Sequence, residues 1–494
     1  MAVDREYIEA MPGVAGLGGS PWLSSETPGF PVLQGDRTAD VVVIGGGMTG
    51  TLIARRLART GRHVALVERR RIGSGTTGHS TAKVTALHGD SWHSLLRDHA
   101  LEDVRTWAAA NVAAVDELSS IAVELGAECG LRGLPAFLVA GDDTASSTFG
   151  KQIEALVSVG VRATAVAAPL PFDRPAAMLA DQALIDPASF VGAVVSALGA
   201  HVDVYEGTPV RSLEHAGTGW RAVGDHGSVS APVAIMADHF PVHDTGAFFT
   251  RLYPYAHHAI EFLPAQPIPE GMWMQVGGDE ITLRPTLDLS GTWIAGGQRV
   301  RVGSVDDARQ AYADLAASVS RLLGECRVVR HWSAHDHETP DGLPFVGEAP
   351  LGRNLFMAAG FAGWGMTKSV VASAIIVEAV EGRMHPAAHL VSPSRVPGVD
   401  EVAVLTRENV TVGREFVEGH VSSRRRKAHE DSVAGGTCTH LGCETKWNTA
   451  EGTVDCPCHG SRFGRHGDVI YGPASKDIEG GPRDRGPAAP AASA

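Results

Sequence analysis

The run Asp40-Val-Val-Val-Ile-Gly-Gly-Gly-Met-Thr-Gly50 limits the possible folds more than any other stretch of the chain. Ala39 to Ile44 is a short apolar run of mostly β-branched residues, which reads as a buried strand. Gly45-x-Gly47-x-x-Gly50 follows at once. Met48 to Thr60 then reads as a helix with Leu52, Ile53 and Leu57 on one side, and Gly61 sits where a helix C′ glycine belongs. His63 to Val67 reads as a second buried strand, ended by Glu68. Strand, glycine turn, helix and strand in roughly thirty residues make a βαβ unit with the dinucleotide fingerprint. Its glycines let backbone approach a pyrophosphate, and the helix N-terminus offers unpaired N–H groups to it. Glu68 can accept hydrogen bonds from ribose hydroxyls. The fingerprint alone does not choose between NAD and FAD.

A chain of 494 residues is too long for one core, so two or three domains are expected. Trp92 to Leu125 reads as helix, with Val104, Trp107, Val115, Leu118, Ile121 and Leu125 as core positions. Short strands are expected from Val202 to Phe240 and again from Arg251 to Val302. Ser304 is placed as the cap of a helix running to Leu323, and another helix, Thr367 to Val380, follows the glycine-rich turn Gly360 to Gly365. Pro386, Pro393 and Pro397 mark residues 386–399 as a linker. Beyond Asp400 short strands are expected to dominate, and 480–494, rich in Gly, Pro and Ala, reads as a disordered tail.

Four of the six cysteines fall between Cys438 and Cys458, while Cys129 and Cys326 stand alone. Such clustering in a long chain points to metal rather than a disulfide scaffold. Cys438-Thr-His440 and Cys456-Pro-Cys-His459 give C-x-H and C-x-x-H across a hairpin-sized insert. Two thiolates suit one iron of a [2Fe–2S] cluster and two neutral imidazoles the other, the Rieske arrangement, whose lower negative charge raises its potential. A structural zinc site would want a different spacing of its ligands.

These stretches, with Trp447-Asn448, Asp455 to Phe463, Gly467 and Gly472-Pro-Ala474, resemble the C-terminal Rieske domains fused to bacterial flavoproteins. That resemblance implies Cys438, His440, Cys456 and His459 as cluster ligands and a disulfide between Cys443 and Cys458. Ser461 resembles the serine that bonds a bridging sulfide in high-potential members. Phe463 stands where a tyrosine is usual there, which implies a potential below that of the cytochrome bc₁ type. Upstream, Ser20-Pro-Trp22, Asp40 to Gly50, Glu68-Arg69, Ile72 to Ala82, Thr339 to Gly347 and Gly360 to Thr367 resemble the FAD-dependent D-amino-acid oxidase superfamily, which includes glycine and sarcosine oxidases. The resemblance spans about residues 20–385. It implies an α/β, Rossmann-like FAD domain built from segments near 38–90, 200–240 and 335–385. An antiparallel-sheet substrate domain is inserted between them, and a small all-β Rieske domain over 400–479 follows. It also implies cofactor contacts from Gly45, Gly47, Met48, Thr49, Gly50, Glu68, Arg69, Thr76, Thr77, Ser80 and Thr81. Gly363, Trp364, Gly365, Met366 and Thr367 would lie by the isoalloxazine or ribityl chain. Gly75 to Lys83 would pass along the flavin's reactive side. No cysteine lies between Cys326 and Cys438, so a covalent flavin tether there is not expected.

Two redox domains on one chain suggest internal electron transfer. The expected activity is oxidation of an amine or amino-acid C–N bond by hydride transfer to flavin, with the cluster relaying single electrons to an external protein or quinone. Arg284 and Trp364 are the catalytic candidates. Tyr253, Tyr255 and His257 share one strand face by alternation. His335-Asp-His-Glu338 reads as a flavin-proximal loop rather than a mononuclear metal site. The competing readings are a non-catalytic redox-responsive accessory protein and a flavin enzyme fed with electrons through the cluster. A net charge of −14, with only Arg424, Arg425, Arg426 and Lys427 as a basic patch, argues against nucleic acid. No run of about 18 apolar residues and no signal-like h-region occurs, so no transmembrane segment and a cytoplasmic location are expected.

Overall fold

The computed structural model describes residues 19–24, 29–126, 129–141, 146–169, 171–288, 290–304, 308–422 and 436–479. Strands Val41–Ile44 and Val64–Val67 pair in parallel with every residue buried. Continuous apolar runs are what a parallel strand covered on both faces requires. Helix Met48–Arg59 connects them, and Gly61, at φ +84°, takes the left-handed conformation that ends it. The sheet grows to six strands in the order Phe345–Glu348, Leu355–Ala359, Val233–Met236, Val41–Ile44, Val64–Val67 and Val202–Tyr205. Three separated stretches of chain therefore build one nucleotide-type sheet, as the resemblance implies. Helix Gly365–Val380 packs against helices Met48–Arg59 and Leu101–Glu124.

The second large sheet has nine strands. Next to its edge strand Cys326–Glu338 runs the long strand Tyr253–Pro264, antiparallel to that strand and to Trp293–Arg301. One pair, Met272–Val276 with Arg132–Ala140, is parallel. Helix Arg309–Leu323 covers this sheet with Tyr312, Leu315 and Val319 buried. Ser304 does not cap that helix; its hydroxyl donates to the Arg301 carbonyl at 2.7 Å and closes a turn. The stretch read as one helix from Trp92 is two, Ser91–Asp98 and Leu101–Glu124, separated by an extended His99.

Two further expectations change. Residues 386–398 are docked rather than loose. Ala387, Leu390 and Val391 are buried, and the Val391 carbonyl accepts from Val346 N at 2.8 Å. Arg251 donates to the carbonyls of Pro393 and Arg395 at 3.1 Å each. Residues 399–422, expected as strands, form helix Val399–Ser422. Valines favour strands, but the covered positions Glu401, Val404, Glu408, Val412 and Glu415 recur every three or four residues, and packing on a helical face overrides residue propensity.

A four-stranded antiparallel sheet (Lys446–Asn448, Thr453–Asp455, Arg462–Gly464, Val469–Tyr471) forms the small C-terminal domain. It sits against the larger body. Tyr312 OH donates to Glu451 at 2.9 Å, and Arg211 donates to the Ser475 carbonyl at 2.6 Å. The basic run 424–427 and the tail 480–494 lie outside the described residues. Among the described residues no helix is long and apolar enough to cross a membrane.

Candidate active site and cluster site

A cavity of about 390 Å³ opens at the carboxyl ends of strands Val41–Ile44, Val64–Val67 and Val233–Met236, where open α/β sheets place their ligands. The glycine turn forms its floor. A side chain at Gly50 would bring Cβ to 1.9 Å from the Gly45 carbonyl oxygen, so helix and turn are in backbone contact there. Gly45 has φ +108°, and a Cβ there would meet the Ala237 carbonyl at 2.3 Å. Glu68 accepts from Gly46 N at 2.7 Å and Arg70 N at 2.8 Å, while burial pushes its carboxyl up. Gly45, Gly47, Met48, Thr49, Glu68, Arg69, Thr76, Thr77, Ser80 and Thr81 all line the cavity, as do Gly363, Trp364, Gly365 and Met366. Gly50 lies behind the turn. Thr367 is buried behind Trp364 and approaches His88 Nε2 at 3.0 Å. A backbone cradle that admits no Cβ, backed by a buried carboxylate, fits a dinucleotide and its ribose.

The far side of the cavity belongs to the nine-stranded sheet. Lys83, Thr282, Glu280, His257, His258 and Gly296 line it. Lys83 donates to Thr81 Oγ1 at 2.8 Å and Thr282 Oγ1 at 3.0 Å, and among the described residues it has no carboxylate partner. Burial, then the neighbouring Arg284 charge, brings its ammonium down to about 7. A register shift between His257 and His258, just past the Tyr253, Tyr255 and His257 set, accompanies the placing of both histidines on the cavity wall. Arg284 does not line it. Its guanidinium is fully buried, donates to the carbonyls of Pro285, Thr81 and Ala82, and stacks over Trp22. It holds the backbone that presents Lys83. Trp364 does line the cavity, with φ +57° and its ring stacked on His88 at 5.3 Å.

At the C-terminal domain, Cys438 and Cys456 are buried free cysteines whose sulfurs hydrogen-bond each other, which pulls Cys438 down to about 7 and pushes Cys456 up. The rings of His440 and His459 stand edge-on with centroids 5.1 Å apart. Two sulfurs on one side and two imidazoles on the other match the donor set of a Rieske cluster. Cys443 and Cys458 form a disulfide between the two loops. Ser461 lies in hydrogen-bonding contact with Cys438 and accepts from Ala474 N at 3.1 Å. Phe463 is fully buried beside them.

The two sites share a wall. Ile470, Tyr471 and Gly472 of the small domain line the flavin-side cavity. His335-Asp-His-Glu338 is the end of strand Cys326–Glu338 rather than a loop. Asp336 lines the cavity and accepts from Gly363 N at 2.5 Å. The His335 ring stacks on Tyr471 at 5.5 Å. Asp238 and His239 also line the cavity; burial raises Asp238 to about 7 and lowers His239 to about 4. These two, with Glu280, Thr282 and Tyr471, were not singled out from sequence. Only the position of Asp238 and His239 just past an apolar run could have pointed to them.

Residues 40–379 match the family described as FAD dependent oxidoreductase, and residues 397–482 match the Rieske [2Fe-2S] domain family. A Bacillus subtilis (strain 168) protein, YhfW, described as a Rieske 2Fe-2S iron-sulfur protein, is 29% identical over 494 residues, covering 92% of this chain and 96% of its own. Among solved structures, glycine oxidase from Geobacillus kaustophilus superposes with a TM-score of 0.63 at 18% identity, over 73% of this chain and 100% of that one. L-Amino acid deaminase from Proteus myxofaciens, in complex with anthranilate, gives 0.62 at 14% identity, over 76% and 97%.

Proposed function

The chain belongs to the FAD dependent oxidoreductase family and carries a Rieske [2Fe–2S] domain, and from that premise we propose that it oxidises a C–N bond of an amino acid or related carboxylate-bearing amine and passes the electrons singly to an external acceptor. The observation that carries this reading is the shared wall: Tyr471 and Gly472 of the cluster domain line the same cavity as the Gly45 turn and Gly363. When bound, FAD accepts a hydride equivalent from substrate, and the cluster handles electrons one at a time.

The chain's own residues then have separable tasks. The Gly45–Gly50 turn and Glu68 hold the dinucleotide end, with Cys438, His440, Cys456 and His459 holding the cluster. Lys83 supplies the positive charge of the substrate side. A buried ammonium whose partners among the described residues are two hydroxyls is costly to leave unpaired, and a substrate carboxylate completes its shell. The same contact orients the Cα–N bond, so binding energy at the carboxylate is used for positioning. Trp364, rigid on His88, bounds the pocket. Tyr471 of the cluster domain closes the wall on the cavity side.

The names of the structural neighbours, an amino-acid oxidase and an amino-acid deaminase, support an amino-acid substrate. The test is anaerobic visible and EPR spectroscopy of the purified protein against a panel of amino acids and amines lacking a carboxylate. Flavin bleaching with appearance of a Rieske signal, for amino acids only, is the expected result. Bleaching without any cluster signal would overturn the relay, and equal bleaching by amines without a carboxylate would overturn the role of Lys83. No response to any compound, with normal reduction by dithionite, would favour entry of electrons through the cluster.

A further inference from the structure

Between the cavity and the cluster loops lies a chain of hydrogen bonds that neither site requires for its own construction. His239 follows strand Val233–Met236 and lines the cavity. Its backbone has φ +72°, a conformation that non-glycine residues adopt only when their surroundings impose it. That twist carries its ring to His337. His239 Nε2 lies 3.1 Å from His337 Nδ1, with ring centroids 4.7 Å apart. His337 is buried on strand Cys326–Glu338 of the nine-stranded sheet, and its Nε2 lies 3.3 Å from the carbonyl oxygen of His459.

The protonation pattern follows from the last acceptor. A carbonyl only accepts, so the His337 proton is on Nε2 and Nδ1 carries a lone pair. His239 must then donate from Nε2, which leaves its own Nδ1 as an acceptor. Thr76 Oγ1 lies 3.4 Å from that atom, and the Thr76 hydroxyl donates to the His335 carbonyl at 2.9 Å. Both imidazoles are neutral in this arrangement, as burial without a carboxylate partner favours. The result is a directional path of two aromatic rings from the cavity wall to the residue that supplies one imidazole ligand.

Tyr471, which also stands in the wall, is differently connected. Its hydroxyl lies 3.1 Å from His79 Nδ1 on the flavin side, so its hydrogen bond leads away from the cluster loops.

We propose that His239 and His337 form the electronic bridge between the flavin cavity and the [2Fe–2S] cluster. Each passage moves one electron between the flavin and the cluster and leaves the two imidazoles chemically unchanged. In the direction of the function proposed above, one two-electron-reduced flavin is reoxidised by two successive passages. Two equivalents of a one-electron redox protein, or one quinone in two successive steps, take those electrons from the cluster, and the flavin's protons go to solvent or, with a quinone, are matched by the two that the quinol takes up.

The bridge rests on that reading for its direction but not for its test. Full-length holoprotein is flash-reduced by a deazaflavin radical without any substrate. Redistribution of the electron between flavin and cluster is followed by transient absorbance. His337→Phe keeps a ring without the bonds, and His239→Leu touches no ligand residue. Both should slow redistribution severalfold. EPR g-values and the midpoint potentials of both centres should stay as in the native protein, and His337→Gln, which keeps a side-chain N–H, should recover part of the rate. Tyr471→Phe should leave the rate unchanged. Native rates in His239→Leu and His337→Phe would overturn the bridge, as would a loss fully accounted for by a changed potential. If no amino acid reduces the flavin, the redistribution rate still decides the bridge.

Discussion

The hydroxyl of Tyr471 lies 3.1 Å from Nδ1 of His79, so a residue of the cluster domain closes the cavity built by the glycine turn. His79 Nδ1 also lies 2.9 Å from the Gly75 carbonyl, at the start of the segment that runs to Lys83. The contact therefore couples domain docking to the shape of the flavin-side loop.

Tyr471→Phe removes this contact while keeping the ring between cavity and cluster domain. It should cost about 0.5–1.5 kcal/mol, the net worth of one hydrogen bond, read as a lower urea midpoint at unchanged slope. Tyr471→Ala should cost about 3–5 kcal/mol by analogy with large-to-small core changes. It should also expose the flavin, seen as stronger quenching of its fluorescence by iodide.

Gly50→Ala tests the cradle from the other side. The added methyl would sit 1.9 Å from a backbone oxygen, where no side-chain rotation can relieve it. Overpacking of this kind costs about 1–3 kcal/mol, and the relief has to come from displacing the turn. The purified variant should carry little flavin by absorbance while its cluster EPR signal stays normal, because the cluster loops do not touch Gly50.

The parts legible in the sequence are those where local chemistry dictates the structure. A strand, a glycine turn and a helix need one another within a few residues, and the cluster donors are recognisable by spacing. Arg284 shows where that reasoning stops. It was a catalytic candidate, but whether the guanidinium enters the cavity depends on Trp22 and on the Thr81 and Ala82 carbonyls, all distant in sequence. Lys83 gains its role from the same arrangement. His239 and Tyr471 become site residues only once the strand order and the docking of the small domain are known. Helix Val399–Ser422 was hidden because its valines favour strands while its face is set by tertiary contacts.

Arg462 is 1% exposed and bonds both Asp455 and Glu451. Burial opposes ionisation of Glu451, but the Arg462 charge outweighs it and holds the carboxyl down at about 2. A depressed carboxyl contributes stability above its unfolded value of about 4.3, and that contribution is lost as pH falls toward its folded value. The protein should therefore lose stability across the window from about pH 4.3 to about pH 2, followed by denaturant midpoints at successive pH values. Arg462→Met leaves two carboxylates buried without their cation and should cost about 3–5 kcal/mol at neutral pH. Its acid sensitivity should shrink, because Glu451 no longer titrates far below its unfolded value.

Lys83 gives a pH dependence of the same sense in a higher window, there as the relief of a burial cost rather than the gain of an ion pair. Its folded value of about 7 lies below the unfolded value of about 10.4. Between these values the unfolded chain binds more protons, so without a bound carboxylate the folded state gains stability as pH rises through that window. A carboxylate ligand needs the charged form. Binding of benzoate, followed by perturbation of the flavin spectrum, should be insensitive to pH below about 7 and weaken above it, by up to about tenfold per unit. Lys83→Met should weaken benzoate by about 1.5–3 kcal/mol, the range for a hydrogen bond to a charged group. It should also flatten the pH profile, and that second effect distinguishes an anchoring charge from a loss of packing. A Lys83→Met profile that still falls above neutral pH would assign the titration to another group, with Asp238, raised to about 7 in the same cavity, the next to replace. Its deprotonation places a negative charge in the wall, so Asp238→Asn should then be the variant that removes the fall.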